Sequence, residues 1–217
     1  MSLQALLQHP RTFLRTNALW PSGQLNVAAR GRPDVFGVGT AEEGSRVWPV
    51  TLRSKSGVEC RTRDGSPMQC WEIAPASSPA ATLAYYLPWR PNSTLSMLLG
   101  DKADLFITDT MNGCTFAFGP GGRPRVAHVN FNTFNDEGER EEGRPIDQAH
   151  MDAEVRRLFP GSVTALRKAD YHTANFPNVT VVGVRHGRSW KFVYQKRDYL
   201  GAAEKALFTL RSVHRIR

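Results

Sequence analysis

The chain has 217 residues, 41% of them apolar, a net charge of +8 and a mean hydropathy of −0.40. That length can bury a core without disulfide staples and predicts one domain, residues 1–217, with residues 1–20 as a candidate peripheral extension. The low hydropathy, with no apolar run of 18 residues, excludes a membrane-spanning helix.

In chain order, Leu3, Leu6, Leu7 and Phe13 predict a short amphipathic helix broken at Pro10. No basic segment, long apolar stretch and small-residue cleavage site follow one another here, so a Sec signal is not expected. From Gln24 to Trp89, six short apolar stretches alternate with turn residues. "LNVAA", "DVFGVG", "RVWPVTL", "VECRTR", "QCWEIA" and "TLAYYLPW" read as strands. "STLSMLLGD", from Ser93, reads as a helical turn, and "ADLFITDT", Ala103 to Thr110, as a strand. "CTFAFG" and "RVAHVNF" read as a hairpin around Gly119 to Gly122.

"DEGEREEG", Asp136 to Gly143, reads as an exposed acidic loop. A helix follows, with Pro145 and Asp147 near its start and Pro160 ending it. "VTVVGVRHG" and "SWKFVYQK" predict a late hairpin, and Gly201 to Arg217 reads as helix then strand. The whole predicts an α+β fold: two packed mixed β-sheets, a β-sandwich core, flanked by a few helices.

Three cysteines make no disulfide framework. Cys60 and Cys70 read as free buried thiols, with a bridge between neighbouring strands as the alternative. Arg185 to Arg217 carries nine Lys/Arg against two acids, a basic tail suited to an acidic partner face, an anionic surface or nucleic acid, or simply to solvent. No nucleic-acid motif accompanies it, so no nucleic-acid partner is expected.

Cys114 follows Gly113, and His128 lies fourteen residues on. A turn centred between Pro120 and Gly122 would set Cys114 directly opposite His128, with Cβ atoms ~5 Å apart. An imidazole at that range can activate a thiol. Gly113 would leave the Cys114 N–H open to a developing oxyanion. Asp109, Asn130 or a backbone carbonyl are the candidates to orient the imidazole. Two ordinary core residues remain the competing reading. No second ligand stands at zinc spacing, and no metal is expected.

"YYLPWRP", then "ADLFITDTMNGCTFAF", a Gly-rich turn and "RVAHVNF" together resemble the glutamine-deamidase toxin family. That family includes the cytotoxic necrotizing factor catalytic domain and Burkholderia lethal factor, and it shares a deeper fold with chemoreceptor deamidases. The resemblance covers about Tyr85 to Phe131 and extends weakly to the late hairpin. It implies Cys114 as nucleophile, His128 as general base, and the Thr108 main-chain carbonyl orienting the imidazole. Met111 and Asn112 depart from the family's Leu-Ser; Asn112 could still join the Cys114 N–H in binding the oxyanion.

The implied activity is deamidation of a protein glutamine through a thioester, without cofactor, by a monomeric toxin or effector. The implied partner is a target protein of the small-GTPase or translation-factor class. The chain would be made in a bacterial cytoplasm and secreted or translocated into a target cell. A Cys–His peptidase, another amidase or a transglutaminase would use the same residues. A non-enzymatic binding protein would use the Arg185–Arg217 face instead. The signature around a papain-type cysteine is absent.

Overall fold

In the computed structural model, residues 2–30, 47–78, 81–131, 146–172, 177–202 and 204–217 are described. Two helices open the chain, α1 (Leu3–Gln8) and α2 (Pro10–Thr16), followed by β1 (Asn17–Pro21) and α3 (Gly23–Arg30). The Ser2 hydroxyl caps α1 by accepting from the Ala5 N–H. Pro10 starts α2, where its missing N–H costs no helical bond. Leu3, Leu6, Phe13, Leu14, Leu19 and Trp20 all enter the main core.

Next come β2 (Val47–Ser54), β3 (Val58–Arg61), β4 (Pro67–Pro75), β5 (Thr82–Leu87), β6 (Ser93–Leu98) and β7 (Leu105–Thr108). They are followed by β8 (Thr115–Phe118), β9 (Arg125–Asn130), α4 (Gln148–Leu158), β10 (Thr164–Leu166) and α5 (Lys168–Tyr171). The chain ends with β11 (Pro177–His186), β12 (Ser189–Ala202) and β13 (Ala206–Arg215).

The predicted two-sheet sandwich is wrong. The strands β4, β2, β5, β7, β11, β12, β13 and β3 pair in that order into a closed eight-stranded barrel. Closure depends on β3, which pairs parallel with β13 and antiparallel with β4. The other edge of β4 pairs with β2. Beyond β3, Gln69–Ile73 of β4 takes β1 as a parallel strand outside the ring. Closing the ring removes unpaired sheet edges, which a sandwich would leave exposed.

A separate four-stranded sheet, in the order β10-β8-β9-β6, covers part of the barrel. Phe116 on β8 lies 5.8 Å from Phe106 and 5.6 Å from Phe192, ring centre to ring centre. On the sheet's other face Ala117, Ala127 and Val129 pack against Met151, Val155 and Leu158 of α4. Alternation along a strand therefore sends Val126 and His128 toward the barrel, and Ala127 and Val129 toward α4. Gly183 of β11 has a packing reason. A Cβ there would fall 2.8 Å from Phe192 Cε1 and 3.1 Å from Phe106 Cβ, inside the aromatic cluster that joins sheet to barrel.

Several local expectations change. "LNVAA" is helical, within α3, and "STLSMLLGD" contains strand β6. Gly201–Arg217 has no helix among its described residues; it carries the end of β12 and then β13. The periodicity of these short apolar runs fits either state, and pairing partners decided. The predicted helix near Pro145 is α4, capped by the Asp147 carboxylate accepting from His150 N–H at 2.9 Å. "DVFGVG" and the acidic loop lie outside the described residues.

Candidate active site

The hairpin that follows Cys114 and carries His128 forms at a register different from the expected one. Phe116, not Cys114, stands opposite His128, and Thr115 stands opposite Val129. The turn is longer than read: Gly119 N–H donates to Arg125 O at 2.9 Å, and Gly121 takes φ +97° within the loop. Cys114 itself stands one residue before β8, outside the paired ladder, and its thiol makes no hydrogen bond to either nitrogen of His128.

His128 sits on the central strand β9, between Phe116 on β8 and Leu95 on β6. It is buried, and among the described residues neither ring nitrogen has a hydrogen-bond partner. The expected bond from the ring to the Thr108 carbonyl is therefore not formed. Thr108 ends β7, buried, where its hydroxyl oxygen accepts from the Val181 N–H at 3.3 Å. Asn130 is buried and its side chain reaches Arg90 O at 3.5 Å. Burial pushes His128 down to about 3, so the imidazole is neutral at pH 7.

Cys114 is also buried. Its carbonyl accepts from the Tyr171 hydroxyl at 2.6 Å, which fixes the chain just before β8. Burial pushes the thiol up to about 12, and the Asp109 carboxylate adds to that rise. Backbone hydrogen bonds at Asn112 and Gly113 and one from the Trp89 side chain work in the opposite direction. The resting pair is thus thiol and neutral imidazole. At pH 7 iodoacetamide should alkylate half-buried Cys70 well before Cys114, and Cys114 labelling should rise steadily above pH 9. Peptide mass spectrometry of timed labelling reads this order.

The residues around the cysteine divide between core and surface. Met111 is buried and exchanges two backbone bonds with Val179, at 2.7 and 2.8 Å. Gly113 lies under Ile146, whose Cδ1 occupies the place a Cβ would need. Asn112 is exposed and borders a cavity of about 380 Å³ with Pro177, Asn178, Tyr199 and Phe208. Cys114 is not among the residues lining that cavity. Tyr171 and Asp109 act on Cys114 without any spacing that would reveal it, whereas Trp89 belongs to the "LPW" stretch.

The basic tail is not one face. Arg197 is fully buried, Arg185 pairs with Asp104 and Arg211 with Asp198. All three cysteines are free. Among the described residues no group of three His, Cys, Asp or Glu is placed to hold a metal, and no helix is long and apolar enough to cross a membrane.

No protein-family model matches the chain, and neither does any curated protein. Among solved structures it is similar to the C-terminal domain of CNFy from Yersinia pseudotuberculosis. The two share 11% identity and a TM-score of 0.33, over 83% of this chain and 74% of the other. A likeness of that size assigns neither family nor activity.

Proposed function

We propose that this chain is a cysteine-dependent protein glutamine deamidase with Cys114 as nucleophile and His128 as general acid and base. The observation that carries the reading is His128 itself. A buried imidazole with both nitrogens unpartnered costs about 1–3 kcal/mol for each lost partner, and a leucine would fill the space without that cost. Its place in the hairpin that Cys114 immediately precedes supports a chemical reason for keeping it.

The reaction begins when the carboxamide of a substrate glutamine enters between the two side chains. His128 takes the thiol proton, and the sulfur attacks the carboxamide carbon, forming a C–S bond and an oxyanion. The Cys114 N–H is the expected donor to that oxyanion. Protonated His128 gives its proton to the nitrogen, and ammonia leaves with the C–N bond broken. Water then gives a proton to His128 and attacks the thioester; the C–S bond breaks, glutamate forms and the thiol recovers its proton. With no hydrogen bond between them at rest, the two side chains must close on each other when substrate binds. Asn112, exposed in the resting state, joins the oxyanion site only if the same closure turns it inward. The substrate class is a protein of a target cell, reached by secretion or translocation.

The test compares wild type with Cys114→Ser in cell lysate, by mass spectrometry of glutamine-containing peptides. Deamidation is expected as +1 Da shifts in the wild-type sample only. Backbone cleavage would identify a peptidase, and amine incorporation a transglutaminase. Equal +1 Da shifts with Cys114→Ser would end the thiol mechanism.

A further inference from the structure

Two hairpin turns meet at the far end of β8 from Cys114. Gly122, in the β8–β9 turn, lies so close to the β11–β12 turn that a Cβ there would stand 2.7 Å from Arg188 O. Together the turns enclose a cavity of about 350 Å³ lined by Gly100, Asp101, Gly122, Arg123, Arg185 and Arg188. Arg185 is held rigidly: Nε donates to Asp104 Oδ1 at 2.8 Å and Nη2 to Asp101 O at 2.9 Å. Its side chain is 19% exposed, so the guanidinium is fixed in the wall rather than free in solvent. Arg123 meets Asp101 at 2.9 Å. Arg188 is exposed and makes no ion pair with a described residue.

Across Gly122 a second cavity, about 510 Å³, adjoins the first and includes Trp190, Lys191, Phe192 and Arg215 in its lining. Among the described residues, the two linings carry five cations (Arg123, Arg185, Arg188, Lys191, Arg215) and one carboxylate, Asp101, with Asp104 beside them paired to Arg185. The aromatic rings here are not stacking platforms. Trp190 is 9% and Phe192 2% exposed, and half-buried Phe118, the third ring of this lining, packs on Phe192 with ring centres 4.4 Å apart, so the rings are engaged with one another in the aromatic cluster. Guanidiniums at fixed spacing suit carboxylates, which they hold through paired N–H···O bonds.

We propose that these joined cavities are a docking site for an acidic segment of a protein partner, whose carboxylates engage Arg123, Arg185 and Arg188. Gly122 sets the spacing of the two turns and hence of the guanidiniums. The proposal is independent of the Cys114 reading and would hold for a chain with no thiol chemistry.

The test uses the full chain and a fluorescein-labelled octaglutamate peptide, followed by anisotropy at low salt. Labelled octathymidylate serves as the nucleic-acid arm. Octaglutamate binding is expected to weaken by about tenfold in Arg188→Glu, while Arg63→Glu, on the exposed β3–β4 turn, changes it less than about twofold. Gly122→Val, which alters no charge, is expected to weaken it by several fold. Urea unfolding of each variant confirms a native fold. The proposal is overturned by no octaglutamate binding at low salt, or by equal losses from Arg63→Glu and Arg188→Glu. It is also overturned by unchanged affinity in Gly122→Val, or by tighter binding of octathymidylate than of octaglutamate.

Discussion

Replacing His128 with leucine is expected to stabilise the protein at pH 7 while ending turnover. The wild-type ring is buried with two unsatisfied nitrogens, and leucine suits the Leu95 and Phe116 neighbours. Removing an unpartnered polar group in favour of an apolar one should return about 1–3 kcal/mol for each of the two nitrogens, read as a higher urea midpoint at unchanged slope. The same substitution should flatten the acid limb of the stability curve. The His128 value is lowered from 6.5 unfolded to about 3 folded. Between those values the unfolded chain binds the proton that the folded chain refuses. This contribution to stability is therefore complete above about pH 6.5. It falls as pH is lowered toward 3, by roughly 1.4 kcal/mol per pH unit. His128→Leu should lose that slope and keep the rest. A variant less stable than wild type at pH 7 would mean that the imidazole is a structural member of the core.

The second large effect is expected at Arg197. Its guanidinium is fully buried, and all five of its N–H groups are aimed at neutral oxygens. Nη1 donates to Leu19 O and Gln195 Oε1, both at 2.5 Å. Nη2 donates to Asn178 Oδ1 at 2.6 Å and to Thr180 Oγ1 at 2.7 Å, and Nε reaches Asn178 Oδ1 at 3.2 Å. The cation also lies 4.1 Å from the Trp20 ring centre. Burial lowers the guanidinium to about 9, so it remains charged at pH 7. This one side chain ties β1, outside the ring, to the β11–β12 hairpin inside it. Burying a cation costs free energy, yet charge-assisted bonds return about 1.5–3 kcal/mol each. With five such bonds and a ring contact, the return should win. Arg197→Met is expected to lower the unfolding free energy by about 3 kcal/mol in urea. Arg197→Lys should cost nearly as much, because an ammonium cannot reach the same set of acceptors. A methionine variant as stable as wild type would show that desolvation cancels the network.

Much of the local structure was legible in the sequence. "LFIT" reads as a buried strand because it is apolar with no polar alternation, and β7 is buried along its whole length. Gly119 to Gly122 announces a hairpin, and Asp147 with Pro160 brackets α4. That His128 stands on the hairpin's second strand was readable from its apolar flanks. The register itself was not, because it rests on how many residues the glycine-rich turn absorbs. Helix α3 and strand β6 were misread because a short apolar run is neutral between helix and strand until its neighbours are known.

The sequence by itself determined that the chain buries a strand-rich core, that it has no apolar run long enough for a membrane-spanning helix, and that a hairpin follows Cys114 and carries His128 on its second strand. Those are properties of composition, spacing and local period. Only the tertiary structure decided that the strands close into a barrel, because closure depends on β3, already in a local hairpin with β4, finding β13 near the other end of the chain. It also decided that His128 is left without partners among the described residues, that Tyr171 holds the Cys114 carbonyl, and that the basic tail divides into a buried arginine, ion pairs and an arginine-lined cavity. Burial and hydrogen-bond satisfaction belong to the packed molecule, where each group's surroundings come from distant segments that no local pattern encodes.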